Sequence, residues 1–267
     1  MINHDKILDK YKYIFLDTNA LREIVTNNNL SGKIFLEKFI IEKYVPCFSI
    51  YNIWEIKPLQ DIYDKFIDFF SIVPCLVIFP NKLVLAEEYK CYQRKEKMKI
   101  CNKISNVFSP LGKENTYRTK LFFEGYYNNK QLKDLTNEHI AQLNTIASNW
   151  QDQRAVVGKI SFVEYKKLEK DIVVKDLQNW GVIQEGVEIE LDSFPAARIM
   201  EYSHFRRVHQ TNKFIKPNDV LDIEISCIVP YVNAVITERF QCDVYRAAQK
   251  FIPQMNEVNI YTMSELR

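Results

Sequence analysis

Tyr13-Ile14-Phe15-Leu16-Asp17-Thr18-Asn19-Ala20-Leu21 is the stretch whose reading decides the fold. Four apolar or aromatic residues in a row read as a short, fully buried strand. The run stops on a carboxylate, and Thr18 or Asn19 can cap the helix that follows. In an open parallel sheet, ligands bind beyond the carboxyl ends of the strands, and Asp17 stands at that place. An acid there, with no basic residue beside it, is poised to hold a cation.

Working outward, the same rhythm repeats. Tyr44–Phe48 reads as a second strand, and Ser49 caps a helix that carries Trp54 and Glu55. Cys75–Phe79 reads as a third strand, followed by a helix from Lys82 to about Ser105. From about Ser109 to Gly186 the rhythm is lost, and the pattern is polar and helical over Asn137–Val157 and Phe162–Asn179. It resumes with Ser193 and Pro195, which open a helix running to about Thr211. Asn218 or Asp219 caps the next helix, which Pro230 closes. A strand over Asn233–Thr237, a helix over Cys242–Phe251 and a strand over Val258–Thr262 complete the chain. This order predicts an α/β fold, a three-layer sandwich around a mostly parallel central sheet. Residues 1–90 and 190–267 form its core, and residues 91–189 form an α-helical insertion.

Composition narrows the function. A formal net charge of +2 gives no global bias towards polyanions, so a nucleic-acid surface would be a local patch. The six cysteines contain no Cys-x-x-Cys and no histidine partner at zinc spacing, which fits reduced thiols. The six glycines are too dispersed to form a phosphate-cradling loop, which argues against P-loop nucleotidases and dinucleotide binders. The segment Met1–Lys6 lacks an apolar signal region, and no run reaches membrane-spanning length. A cytoplasmic protein without a membrane partner is expected.

Asp17 and Glu238 each follow a strand, and parallel strands place their carboxyl ends on one edge. Asp222 falls in the first turn of a helix, three residues after Asp219, so the two can share a face. Glu55 can approach the same edge from its own helix. Such carboxylates cannot sit together unpaired, because each raises the others' pKa. A bound hard cation resolves the conflict, and oxygen-only ligands suit Mg²⁺ or Mn²⁺. Phosphoryl transfer to water is the usual chemistry of such sites.

Leu16-Asp17-Thr18-Asn19-Ala20-Leu21, Phe48-Ser49 through Glu55-Ile56, and Asp219-Val220-Leu221-Asp222 through Thr237-Glu238 together resemble the PIN-domain family of metal-dependent nucleases. The resemblance spans roughly residues 12–88 and 193–265. It implies that Asp17, Glu55, Asp222 and Glu238 are the catalytic, metal-binding acids, with Asp219 an auxiliary ligand or only a cap. It implies supporting hydrogen bonds from Asn19 and Thr237. Two departures stand out. Glu238 replaces a more typical Asp, and Asn233 occupies a position where one branch of the family has an acid. The family implies RNA as substrate, with DNA the other polymer to test. It also leaves open a toxin-like role with an inhibitory partner protein, and a homodimer.

Lys90, Arg94 and Lys95, in a basic run reaching Lys103, are candidate nucleic-acid contacts, as are Arg206 and Arg207. For each group a solvated, polar helix face is the favoured reading. His204 and His209 read as a polar helix face, and Trp54, Trp150 and Trp180 as packing residues. A haloacid-dehalogenase-like phosphatase would need a second Asp where Asn19 stands. A receiver-like domain would need an acidic pair at the first strand. The non-enzymatic alternative is a degenerate PIN fold that binds RNA or protein.

Overall fold

The computed structural model describes residues 8, 10–26, 31–101, 103–109, 115–128 and 130–266. Six strands form one sheet: β1 (Lys12–Leu16), β2 (Tyr44–Ser49), β3 (Cys75–Ile78), β4 (Ser105–Phe108), β5 (Ala234–Ile236) and β6 (Asn259–Tyr261). Among the described residues their order is β4-β3-β2-β1-β5-β6, and only the β3–β4 pair is antiparallel. The protein is therefore α/β with a mostly parallel sheet. β1 lies inside it, with Phe15 opposite Cys47 on one side and Val235 on the other. Ile14, Phe15 and Leu16 are almost wholly buried, as an interior parallel strand requires.

The helices that position the site are α1 (Thr18–Thr26), α2 (Ser31–Phe35), α3 (Ile50–Ile56), α4 (Gln60–Phe70) and α5 (Asn81–Arg94). They continue with α6 (Asn115–Asn128), α7 (Lys130–Val157), α8 (Phe162–Asn179), α9 (Pro195–His209), α10 (Pro217–Ile225) and α11 (Arg239–Ala248). α8 keeps the limits expected from sequence, and its Ser161–Glu164 capping box explains the sharp start. The interior is rich in aromatic rings, with Phe66 meeting Phe48, Phe70 and Phe123 in tilted or edge-on pairs.

Three local expectations need correction. The helix expected to run from Lys82 to about Ser105 stops at Arg94, because Lys95 adopts a left-handed φ of 55°. The segment beyond it contains β4, an edge strand that pairs with β3, where more helix was expected. α10 is not capped by Asn218 or Asp219. Lys216 is the N-cap residue, Pro217 takes the first helical position, and Asp219 Oδ2 reaches back to accept the Lys216 N–H at 2.8 Å. Asp222 consequently sits in the second turn rather than the first. Helix geometry ends at Ile225 and tightens to a 3₁₀ turn over Ser226–Tyr231, which contains Pro230.

Among the described residues, no helix is long and apolar enough to cross a membrane. No disulfide joins the six cysteines.

Candidate functional site

The end of β1 builds the first corner of the site. Asp17 Oδ1 accepts the Ala20 N–H at 2.7 Å, and the Asp17 carbonyl accepts the Leu21 N–H at 2.9 Å. Asp17 itself therefore caps α1, in place of Thr18 or Asn19. Its Oδ2 accepts the Glu238 N–H at 2.9 Å from the end of the neighbouring β5, and the Thr237 hydroxyl supports it. Oδ1 is thus fixed by the helix cap and Oδ2 by the strand register. Burial raises the Asp17 pKa, the nearby Glu238 charge adds to the rise, and these hydrogen bonds oppose it.

A buried relay places Glu55. Ser49 caps α3, its Oγ accepting the Tyr51 N–H at 3.2 Å. Asn52 Oδ1 returns to accept the Ser49 N–H at 2.6 Å. The Asn52 amide then donates to Thr18 Oγ1 at 2.7 Å, and the Thr18 hydroxyl donates to Glu55 Oε2. The Glu55 pKa is raised, first by burial and then by Asp17, against the Thr18 hydrogen bond and Arg22. Asn52 is completely buried. Sequence reading missed its role, although the Ser49-x-x-Asn52 spacing carried a capping-box signal.

Asp222 projects from α10 towards these acids. Among the described residues its carboxylate has neither a hydrogen-bond donor nor an ion-pair partner. Burial, then the charges of Glu238, Glu55, Asp17 and Asp219, hold its pKa well above the ordinary carboxylate range. Glu238 is the N-cap residue of α11 but makes no side-chain cap bond, which frees its carboxylate for the cavity. The α1 and α11 N-termini both lie beside the acids, so their dipoles favour negative charge there.

Asp17, Glu55, Asp219, Asp222 and Glu238 line one cavity of about 930 Å³. Thr18, Asn19 and Asn218 share its wall. So do five cations: Arg22, Arg207, Lys213, Lys216 and Arg239. Arg207 is the buried member. Its Nη2 lies 2.7 Å from Asp219 Oδ1 and 4.0 Å from Glu238 Oε1, and its guanidinium stands 4.1 Å from the Phe240 ring centroid. Asp219 therefore has both oxygens engaged, one by the cap of α10 and one by Arg207.

The other sequence candidates lie elsewhere. Lys90, Arg94, Lys95 and Arg206 are not among the residues lining this cavity. Arg94 pairs with Glu87 at 3.1 Å and Glu96 at 2.9 Å, and Lys103 with Glu87 at 3.3 Å. Tyr89 and Tyr92 pack against Phe194. Arg206 donates to the Tyr202 hydroxyl at 3.2 Å and lines a separate cavity with Phe162, Tyr202, Phe205 and Phe251. His204 packs on Trp150 with ring centroids 4.5 Å apart, and burial pushes its pKa down to about 3. Asn233 lies at the opposite end of β5 from the acids. Its Oδ1 accepts the Tyr13 N–H at 2.8 Å, at the start of β1. The remaining cations, Arg22, Lys213, Lys216 and Arg239, carry no motif in the sequence and become neighbours only in the folded chain.

The donor set is oxygen only, and one of its crowded carboxylates has no partner, so its chemistry fits a hard divalent cation. Among the described residues, no group of three or more His, Cys, Asp or Glu side chains is placed to hold a metal ion as it stands. An ion would have to draw the carboxylates together. No protein-family model matches the chain, and neither a curated protein nor a solved structure matches it.

Proposed function

We propose that this chain is a metal-dependent nuclease with a three-layer, PIN-like architecture, and that it hydrolyses internal RNA phosphodiesters. One observation carries the reading. Four acids from separate sequence blocks, Asp17, Glu55, Asp222 and Glu238, line one cavity that also bears cationic side chains. The acids suit a divalent cation and the cations suit a polyanion. Asp17, Glu55, Asp222 and Glu238 would hold Mg²⁺ or Mn²⁺. When bound, such an ion lowers the pKa of water and offsets charge on the phosphate.

The chain's own groups perform the remaining tasks. Arg22, Lys216 and Arg239 attract and orient the substrate phosphates. Asn19, exposed on the wall, donates to a phosphate oxygen. Asp17, locked by two backbone N–H groups, gives the site a fixed reference point. Asp222, as one of the acids that would hold the ion, orients the attacking water. The water gives up its proton to solvent as its oxygen bonds to phosphorus. The bond from phosphorus to the leaving nucleotide oxygen breaks, and that oxygen takes a proton from solvent.

The test is cleavage of labelled RNA and DNA strands by purified protein with Mg²⁺ or Mn²⁺. Asp17→Asn and Asp222→Asn should each abolish cleavage while preserving the fold. Unchanged cleavage in both variants would refute the site. The Arg207 bridge to Asp219 and Glu238 favours a second reading, in which an internal cation neutralises the acids and the fold only binds RNA or protein. That reading predicts RNA retention without cleavage in the same assay.

A further inference from the structure

Phe214 stands on the short segment between α9 and α10 and is 70% exposed. A lone exposed phenylalanine carries no message by itself. Three observations set this one apart. It lines the same cavity as the acids. Lys213 and Lys216, which line that cavity too, flank it in sequence. Its backbone is tethered on both sides by α7. Arg154 Nη1 donates to the Lys213 carbonyl at 2.5 Å, and the Ile215 N–H donates to Gln151 Oε1 at 3.3 Å. The buried Ile215 side chain anchors the segment from beneath. Arg154 is itself braced, donating to the Arg207 carbonyl at 2.7 Å and the Val208 carbonyl at 2.8 Å. The aromatic ring is therefore presented to solvent by a fixed support.

We propose that Phe214 is a stacking platform for an unpaired nucleobase beside the scissile phosphate. The inference rests on the nuclease reading above. A base offers a flat apolar face between two phosphates, which matches an aromatic ring between two lysines. In a duplex both faces of each base are already stacked, so a base cannot lie on Phe214 without leaving its helix. α7 belongs to the segment that interrupts the βα rhythm. On this proposal that segment contributes to substrate choice by holding the platform in place.

The test measures binding of a short fluorescent RNA strand by anisotropy in the Asp222→Asn background, which separates binding from cleavage. Adding Phe214→Ala should weaken single-strand binding by about tenfold, and Phe214→Trp should retain it. Binding of the matching RNA duplex should not respond to either change. An abasic nucleotide moved along the strand should, at one position, remove the effect of Phe214→Ala. Arg154→Ala should weaken single-strand binding in the same way and add little to Phe214→Ala. Equal single-strand affinity with and without the Phe214 ring, or equal loss on the duplex, would overturn the proposal. Metal-dependent cleavage by the unmodified protein reports separately on the nuclease reading. If cleavage persists while the Phe214 effect is absent, only the platform falls. If cleavage is absent while the Phe214 effect is present, the platform stands as part of a binding module.

Discussion

Replacing Glu88 with Gln should flatten part of the pH dependence of stability. Glu88 lies on α5 with its carboxylate buried against the start of α9. Its Oε1 accepts the Ala196 N–H at 2.8 Å and the Tyr231 hydroxyl. Phe194, the N-cap residue of α9, supplies no side-chain cap, so Glu88 acts as that cap from a distant helix. Burial is the dominant influence and raises its pKa from 4.5 to about 7, against the hydrogen bonds it accepts. A folded-state pKa above the unfolded value means that folding favours the protonated form. The contribution is complete below pH 4.5 and is lost as pH rises through 7. At about 1.4 kcal/mol for each pH unit between the two values, the loss is about 3 kcal/mol. Gln is neutral throughout and offers the same carbonyl acceptor. Other buried acids add slope of the same sign in both proteins, so the informative quantity is the difference between them. Urea unfolding at pH 4, 5, 6, 7 and 8 should show Glu88→Gln gaining on the unmodified protein by about 3 kcal/mol across the series. Parallel stability curves would refute the assignment of a buried, proton-favouring carboxyl at this position.

Asp222→Asn should raise the melting temperature of the metal-free protein at pH 7.5 by roughly 2–6 °C, because it removes a charge disfavoured by burial and four nearby acids. The same variant should lose most of the stabilisation that Mn²⁺ gives the unmodified protein, about 3 kcal/mol at a hundredfold excess over Kd, read by calorimetric titration and thermal melts. Asn52→Ala should cost about 2 kcal/mol by stranding the Ser49 N–H and releasing Thr18. It should also lower the cleavage rate by roughly 10- to 100-fold with RNA affinity unchanged, since Glu55 loses its support. Asn233→Ala should cost about 1 kcal/mol with unaltered cleavage, and Asn233→Asp should leave the cleavage rate unaltered too, because this residue joins strands at the far edge of the sheet. A rate that responds to Asn233→Asp would contradict that placement.

What the sequence determined by itself was local. The apolar run Tyr13–Leu16, the Ser49 cap and the alternation of strands with helices follow from hydrophobic period and capping chemistry, which act over a few residues. Those signals were enough to place Asp17 and Glu238 at the ends of strands. They failed where a boundary depended on distant partners. Nothing local marks Lys95 as a helix stop, and β4 exists because β3 offers it an edge. The basic run from Lys90 to Lys103 read as a charged face, whereas Glu87, just before it, holds two of its members in ion pairs.

Tertiary structure alone decided the character of the site. Parallel pairing of β1 with β5 sets Asp17 against the Glu238 backbone across 221 residues of sequence. The same packing brings Arg207, Lys213 and Lys216 to the cavity wall and leaves Lys90 and Arg206 off it. Charge is a property that sequence displays, but its meaning depends on distance and burial, and both are set by the fold.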